Sequence, residues 1–123
     1  MIEIYDRKGF DKVASIEGTT LVGADFSQQD LTNGNFVQMD LTKANFSQAN
    51  LTDTDFRLSN LTDADLQGAV LNGADLSGAN LSGANLKDAD LTNTKLTGTT
   101  ISVASLAHLS QAENVNLDEI VIA

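Results

Sequence analysis

No cysteine and no tryptophan occur among the 123 residues, and the aromatic set is one Tyr and five Phe. The missing cysteine removes disulfides, thiolate metal sites and a cysteine nucleophile together, and leaves the redox compartment open. So few aromatics argue against a broad globular core. His108 is the single histidine, so no second imidazole or thiolate completes a metal set. No apolar run approaches the roughly 20 residues of a membrane span. The N-terminus, Met1-Ile2-Glu3-Ile4-Tyr5-Asp6, lacks the basic and apolar regions of a secretory signal, and cytoplasmic residence is the expectation. Basic residues are scarce too: 7 Lys and Arg against 17 Asp and Glu leave a net charge of −10. Nucleic acid is not an expected partner, because its phosphates must be neutralised by Lys and Arg. An acidic surface in the first instance serves solubility.

What is abundant is a period. A Leu, Phe or Ile falls on every fifth residue from Leu21 to Ile101, and a small side chain stands two residues before it in 15 of 17 cases. Five residues match neither the 3.6 of a helix nor the 2 of a strand. On a helix the apolar positions would wander around the axis; on a strand they would alternate between faces. Five residues can instead form a short extended side plus a corner, and four sides close a square coil. Two of every five side chains then point inward, one large and one small. At a spacing of twenty the inward ladders are Leu21–Leu41–Leu61–Leu81–Ile101, Phe26–Phe46–Leu66–Leu86, Leu31–Leu51–Leu71–Leu91 and Phe36–Phe56–Leu76–Leu96. Four Phe thus occupy two opposite sides in the first half.

The run A(D/N)LXX, as in Ala24-Asp25-Phe26-Ser27-Gln28, Ala44-Asn45-Phe46-Ser47-Gln48, Ala74-Asp75-Leu76-Ser77-Gly78 and Ala79-Asn80-Leu81-Ser82-Gly83, resembles the pentapeptide-repeat family. The resemblance implies an all-β fold, a right-handed quadrilateral parallel β-helix of about four to five coils, closed by N- and C-terminal caps. The chain is read as one domain, with an N-terminal cap over 1–18, the repeat solenoid over 19–103 and a C-terminal cap over 104–123. In the first cap Ile2–Tyr5, the turn Asp6–Gly9 and Phe10–Val13 suggest a β-hairpin. In the second, 105–112 with Leu106 and Leu109 suggests a short helix. The repeat phase extends weakly into Ala14-Ser15-Ile16 and Ala104-Ser105-Leu106, then returns one residue out of phase at Val115–Leu117 and Ile120–Ile122.

Corner residues change along the chain. Gly68, Gly73, Gly78, Gly83 and Gly98 favour type II turns, whereas Gln28, Gln38, Lys43, Gln48 and Leu58 predict another turn class in the first half. Outward Asp and Asn are expected to bond nearby backbone and steady the corners. At the inward small position, Gln29 and Met39 must bulge a corner or point out.

Little is left for chemistry. Carboxylates are spread over all four sides, and a filled solenoid offers no pocket. Asp53 with Asp55, and Asp63 with Asp65, both set outward, could hold a cation only weakly. No cofactor and no enzymatic activity are expected. The outward exceptions Val37, Arg57, Leu58 and Val70 form the candidate contact patch for another protein. The leading expectation is a monomeric, non-catalytic scaffold that presents a rigid acidic side to a protein partner. The alternative, implied by the family's quinolone-resistance members, is an acidic DNA mimic that inhibits an enzyme such as gyrase. Against it stand a short chain, no strong apolar dimerisation helix and acids that do not form one stripe.

Overall fold

Each five-residue unit becomes one short side and one corner. In this computed structural model, which describes residues 1–109 and 112–123, the central Leu, Phe or Ile of every unit from Phe26 to Ile101 is buried. The corner is a four-residue turn closed by the following small residue, as when the Ala44 N–H donates to the Leu41 carbonyl at 3.0 Å. Sides stack in parallel with an offset of twenty residues: Asp25 pairs with Asn45, Asp30 with Asn50, Asn35 with Asp55, and Asp40 with Asn60. Three backbone bonds per side carry that stacking. For the Phe26 side they are Phe26 N–H to Asn45 O at 2.7 Å, Gln28 N–H to Ser47 O at 2.9 Å and Asn45 N–H to Ala24 O at 2.8 Å.

The axis is filled in two styles. Phe26 and Phe46 stack at 4.9 Å, Phe36 and Phe56 stack at 4.8 Å, and the two columns meet edge-to-face at 5.6 Å. Both geometries suit the ring quadrupole. Beyond Phe56 only Leu and Ile continue the ladders. Small inward residues line the corners, and at the two exceptions the turn loosens. Gln29 closes its turn at 3.4 Å and is exposed; Met39 closes its turn at 3.3 Å and is half-buried against the core.

The expectation of two turn classes is wrong. Gln28, Gln38, Lys43, Gln48 and Leu58 all sit at φ between 58° and 61°, the same left-handed region that Gly68, Gly73, Gly78 and Gly83 occupy. The stacking bond made by each corner N–H fixes the turn, so the coil geometry overrides the single-residue preference. On the outer surface the Asp and Asn side chains do bond backbone, two residues on. Asp25 Oδ1 accepts the Ser27 N–H at 2.9 Å, and the same bond recurs at Asn45, Asp65 and Asn85. On three Asp the following hydroxyl donates as well, so Ser27, Thr32 and Thr42 hold the carboxyls of Asp25, Asp30 and Asp40 below the usual range.

Strands β1 (Ile2–Tyr5) and β2 (Lys12–Ile16) make the N-terminal hairpin, with an irregularity between Ile4 and Tyr5. Ala14, Ser15 and Ile16 therefore belong to the hairpin and do not extend the coil. Ile4 is fully buried, whereas Phe10 is 80% exposed. The hairpin docks along a free side edge: Asp6 bridges Gly34, Arg7 N–H donates to Asn33 O at 2.7 Å, and Asn35 N–H donates to Tyr5 O at 2.9 Å. Gly34 is required there, because a Cβ would stand 2.8 Å from the Phe36 ring.

At the other end β3 (Asn80–Leu81) and β4 (Thr100–Ile101) pair in parallel, and then the chain leaves the coil. Helix α1 (Val103–Leu109) takes the place of further sides, so Ala104, Ser105 and Leu106 do not continue the repeat. The Leu106 side chain and residues 110–111, part of the expected helix, lie outside the described residues. The chain then returns one residue out of phase: Lys95 pairs with Asn116, and Thr100–Ile101 pair with β5 (Val121–Ile122).

Because the aromatic columns are sealed on all sides, Phe46→Ala should cost about 3–5 kcal/mol, and an unchanged chemical-denaturation midpoint would disprove the axial role. The inward hydroxyls of Thr54, Thr94 and Thr99 find backbone carbonyls of Leu51, Leu71 and Leu76. The buried Ser59 Oγ has no partner. Ser59→Ala, which restores the small apolar residue found at most such positions, should stabilise by about 1 kcal/mol; a lowered melting midpoint would contradict the burial.

Candidate functional site

Corner residues have one side chain with nowhere to go but outward, and that is where the candidate residues gather. Val37 and Arg57 follow their central Phe residues on the same side of the coil, one stacked on the other, and Leu58 is the corner after Arg57. Val37, Gln38, Arg57, Leu58, Ser77 and Gly78 line a shallow groove of about 400 Å³. Three of the four predicted patch residues thus come together. Val70 does not join them: it stands on the Asp30–Asn50–Val70–Asp90 ladder, where it replaces the usual Asp or Asn.

Among the described residues Leu58 is the one apolar side chain at a left-handed non-glycine corner. Its φ is 60°, a region that costs an L-residue roughly 1–2 kcal/mol, and its side chain is 60% exposed. Unlike Asn or Asp, Leu has no polar group to bond locally and offset the strain. Its side chain leans over Gly78 on the next coil, where an added Cβ would lie 2.7 Å from Cδ2.

Arg57 has a structural task that the sequence did not disclose. Asp55, read as outward, is in fact only 4% exposed. It sits between Asn35 and Asp75 on its ladder, and the Arg57 guanidinium closes over it. Arg57 Nε and Nη2 donate to the Asp55 oxygens at 2.9 and 2.8 Å, and the Arg57 N–H donates to Oδ1 at 3.1 Å. Burial pushes the Asp55 carboxyl up, but the hydrogen bonds and charge of Arg57 outweigh it and hold it below the usual range. The outward-pair reading of Asp53 and Asp55 is therefore corrected, since one member is covered and already paired. Among the described residues no group of three or more His, Cys, Asp or Glu converges as a metal site.

Arg57 also borders a second concavity that sequence reasoning missed. Against the expectation that a filled solenoid has no pocket, the hairpin turn stands off the coil and leaves a solvent-open notch of about 700 Å³. Asp6, Arg7, Lys8, Phe10 and Asp11 from the turn line it, with Asn33, Asp55 and Arg57 from the coil. The exposed aromatic in an otherwise polar turn was the only available signal. Arg7 Nη1 reaches the Asp53 carbonyl at 3.3 Å, and Asp6 Oδ1 accepts the Phe10 N–H at 2.9 Å.

Stacked parallel sides, left-handed corners and an axial ladder define the class: a parallel β-helix built of five-residue units. The family model for pentapeptide repeats matches residues 15–57 and 59–98 as eight copies. The chain belongs to the pentapeptide-repeat family. Among solved structures it is similar to a pentapeptide repeat protein from the Arabidopsis thaliana thylakoid lumen, with 33% identity and a TM-score of 0.52, over 82% of this chain and 59% of that one. It is also similar to HetL, a pentapeptide repeat protein involved in heterocyst differentiation regulation in the cyanobacterium Nostoc sp. strain PCC 7120. There the identity is 24% and the TM-score 0.49, over 83% of this chain and 50% of that one. QnrB1, a plasmid-mediated fluoroquinolone resistance protein, stands at 17% identity and a TM-score of 0.44, over 97% of this chain and 71% of that one, too slight a likeness to argue from. The chain thus spans 59% of the first of these structures and 50% of the second. No curated protein matches the sequence.

Arg57→Ala should destabilise by about 1–2 kcal/mol through the uncompensated Asp55 carboxylate. Adding Asp55→Asn, the residue that Asn35 supplies one coil earlier, should restore most of that loss. The folded carboxyl is depressed, so the contribution is present above the ordinary Asp value near 4 and fades as pH falls below it. Strictly additive losses in a double-mutant cycle, or a deficit that persists at low pH, would refute the pairing.

Proposed function

We propose that this chain is a non-catalytic scaffold whose working surface is the corner groove at Val37, Arg57 and Leu58, where another protein binds. The observation that carries the reading is Leu58. A large apolar residue held in a strained conformation and left largely in water reduces stability on both counts. The left-handed φ is common to the other corners; what sets Leu58 apart is a large apolar side chain left exposed at one of them. The rigid coil supplies what a contact surface needs, since neighbouring corners are fixed by backbone bonds and lose little freedom on binding. Val70 belongs to this proposal only as a separate exposed apolar residue. The DNA-mimic alternative has no comparable support: Asp25 and Asp65, Asp30 and Asp90, Asp55 and Asp75, and Asp40 stand on four different ladders. Asp55 among them is covered.

Leu58→Gly should keep or raise the melting midpoint, because glycine takes φ > 0 freely, yet abolish capture of a partner from native lysate. Leu58→Asp should abolish capture while the fold persists. A partner held equally by both variants would remove the groove from the account, as would a clear loss of stability in Leu58→Gly.

A further inference from the structure

The notch under the hairpin and the groove at Leu58 share one residue, Arg57. One end of the combined track is apolar, formed by Val37 and Leu58. The other is polar, lined by Arg7 and Lys8 together with the exposed Phe10. In a chain of net charge −10 with only 7 basic residues, three of the 7 face this single track. Their counter-charges are unequal in availability. Asp55 is committed to Arg57, and Asp6 to the Phe10 N–H of its own turn. Asp11 remains, on the turn. Among the described residues the sole ion pair is Arg57 with Asp55, so neither the Arg7 guanidinium nor the Lys8 ammonium is paired with a carboxylate. Arg7 Nη1 donates one bond to the Asp53 carbonyl at 3.3 Å, which orients the head group without neutralising it.

We infer that the notch and the groove are two ends of one docking track for a short extended segment of another protein, one that carries an Asp or Glu side chain beside a large apolar residue. The carboxylate is received by Arg7 and Lys8, and a charge-assisted bond to a guanidinium is among the stronger polar contacts available. The apolar neighbour lies across Leu58 and Val37, and Phe10 covers the segment from the hairpin side. Aromatic and arginine residues are the ones that most often carry binding energy at such surfaces. This inference rests on the proposed contact role of Leu58 and adds the chemistry of the partner.

The test is a random twelve-residue peptide library displayed on phage and selected against the immobilised full chain, followed by synthesis of the selected peptides. The expected sequences place Asp or Glu within a few residues of Leu, Ile or Phe. Their affinity should fall about tenfold or more in Arg7→Glu, in Lys8→Glu and in Leu58→Asp, with unchanged thermal melts. It should hold in Lys87→Glu, which changes net charge equally but lies on an exposed side elsewhere. The Lys8 side chain makes no hydrogen bond or ion pair with the coil, so its variant remains informative if Arg7→Glu loosens the hairpin. Selected peptides without acids, or binding indifferent to Arg7→Glu and Lys8→Glu, would overturn the carboxylate assignment. If those peptides still lose affinity in Leu58→Asp, the contact reading stands without it. If no selected peptide responds to any of the three, both fall.

Discussion

Everything in this molecule depends on a corner that must be made every five residues. The residue two places after each central Leu or Phe is held near φ 60°, whatever its identity, and the next residue must be small enough to close the turn inside the coil. A left-handed corner costs any L-residue free energy, and a chain of isolated turns would not sustain it. It is sustained because each corner N–H donates to the coil above, as Gln38 does to Arg57 O and Lys43 to Thr62 O, both at 2.9 Å. Turn, stacking bond and buried central side chain therefore form together. The axial side chains, each contributing roughly 1.5–3 kcal/mol on burial, are what hold the corners in place.

That coupling decides what could be read in the sequence. The ladders, their offset of twenty and the opposition of the two Phe columns follow from spacing alone, since an apolar residue every fifth position has only one way to be buried. The Asp and Asn bonds to backbone follow from their fixed place before each centre. Corner type did not follow: Gln28 or Leu58 predicts its own preference, and the coil imposes another. Nor did the burial of Asp55, whose outward position in the repeat says nothing of an Arg two residues later folding back over it. The C-terminal phase shift of one residue was legible at Leu117 and Ile122. The short helix expected over 105–112 is present as α1, but its start at Val103 was not legible, because Ala104-Ser105-Leu106 keeps the repeat spacing while its backbone turns helical. The hairpin was legible in its strands, but the notch beneath it arises from how far a turn stands off a coil, which no pattern encodes.

The residues left over by this accounting are not random with respect to stability. Most substitutions that break the repeat are absorbed cheaply. Gln29 turns outward, Met39 settles half-buried, and Val70 forgoes one side-chain bond. Leu58 is different, because glycine or asparagine at the same corner would remove strain and exposure at no geometric cost. Arg57 is different in the other direction, since its position over Asp55 is required by the fold whatever it contributes to binding. A loss of function on changing Arg57 would therefore be ambiguous, whereas a loss at Leu58 without a loss of stability would not.

Electrostatics narrows the kind of segment that the proposed track could take. The chain as a whole repels acidic molecules, but at physiological salt that repulsion fades within about 8 Å. Within the track the three cations face Asp6, Asp11 and Asp55, so the site is formally neutral against an acidic background. It cannot draw a highly acidic partner from a distance, and a run of carboxylates would meet the surrounding Asp residues outside the notch. One carboxylate fits; several do not. On the proposed reading, the surface would favour a segment whose single acid is flanked by apolar residues, with recognition set by short-range bonds to Arg7 and Lys8 and not by long-range steering.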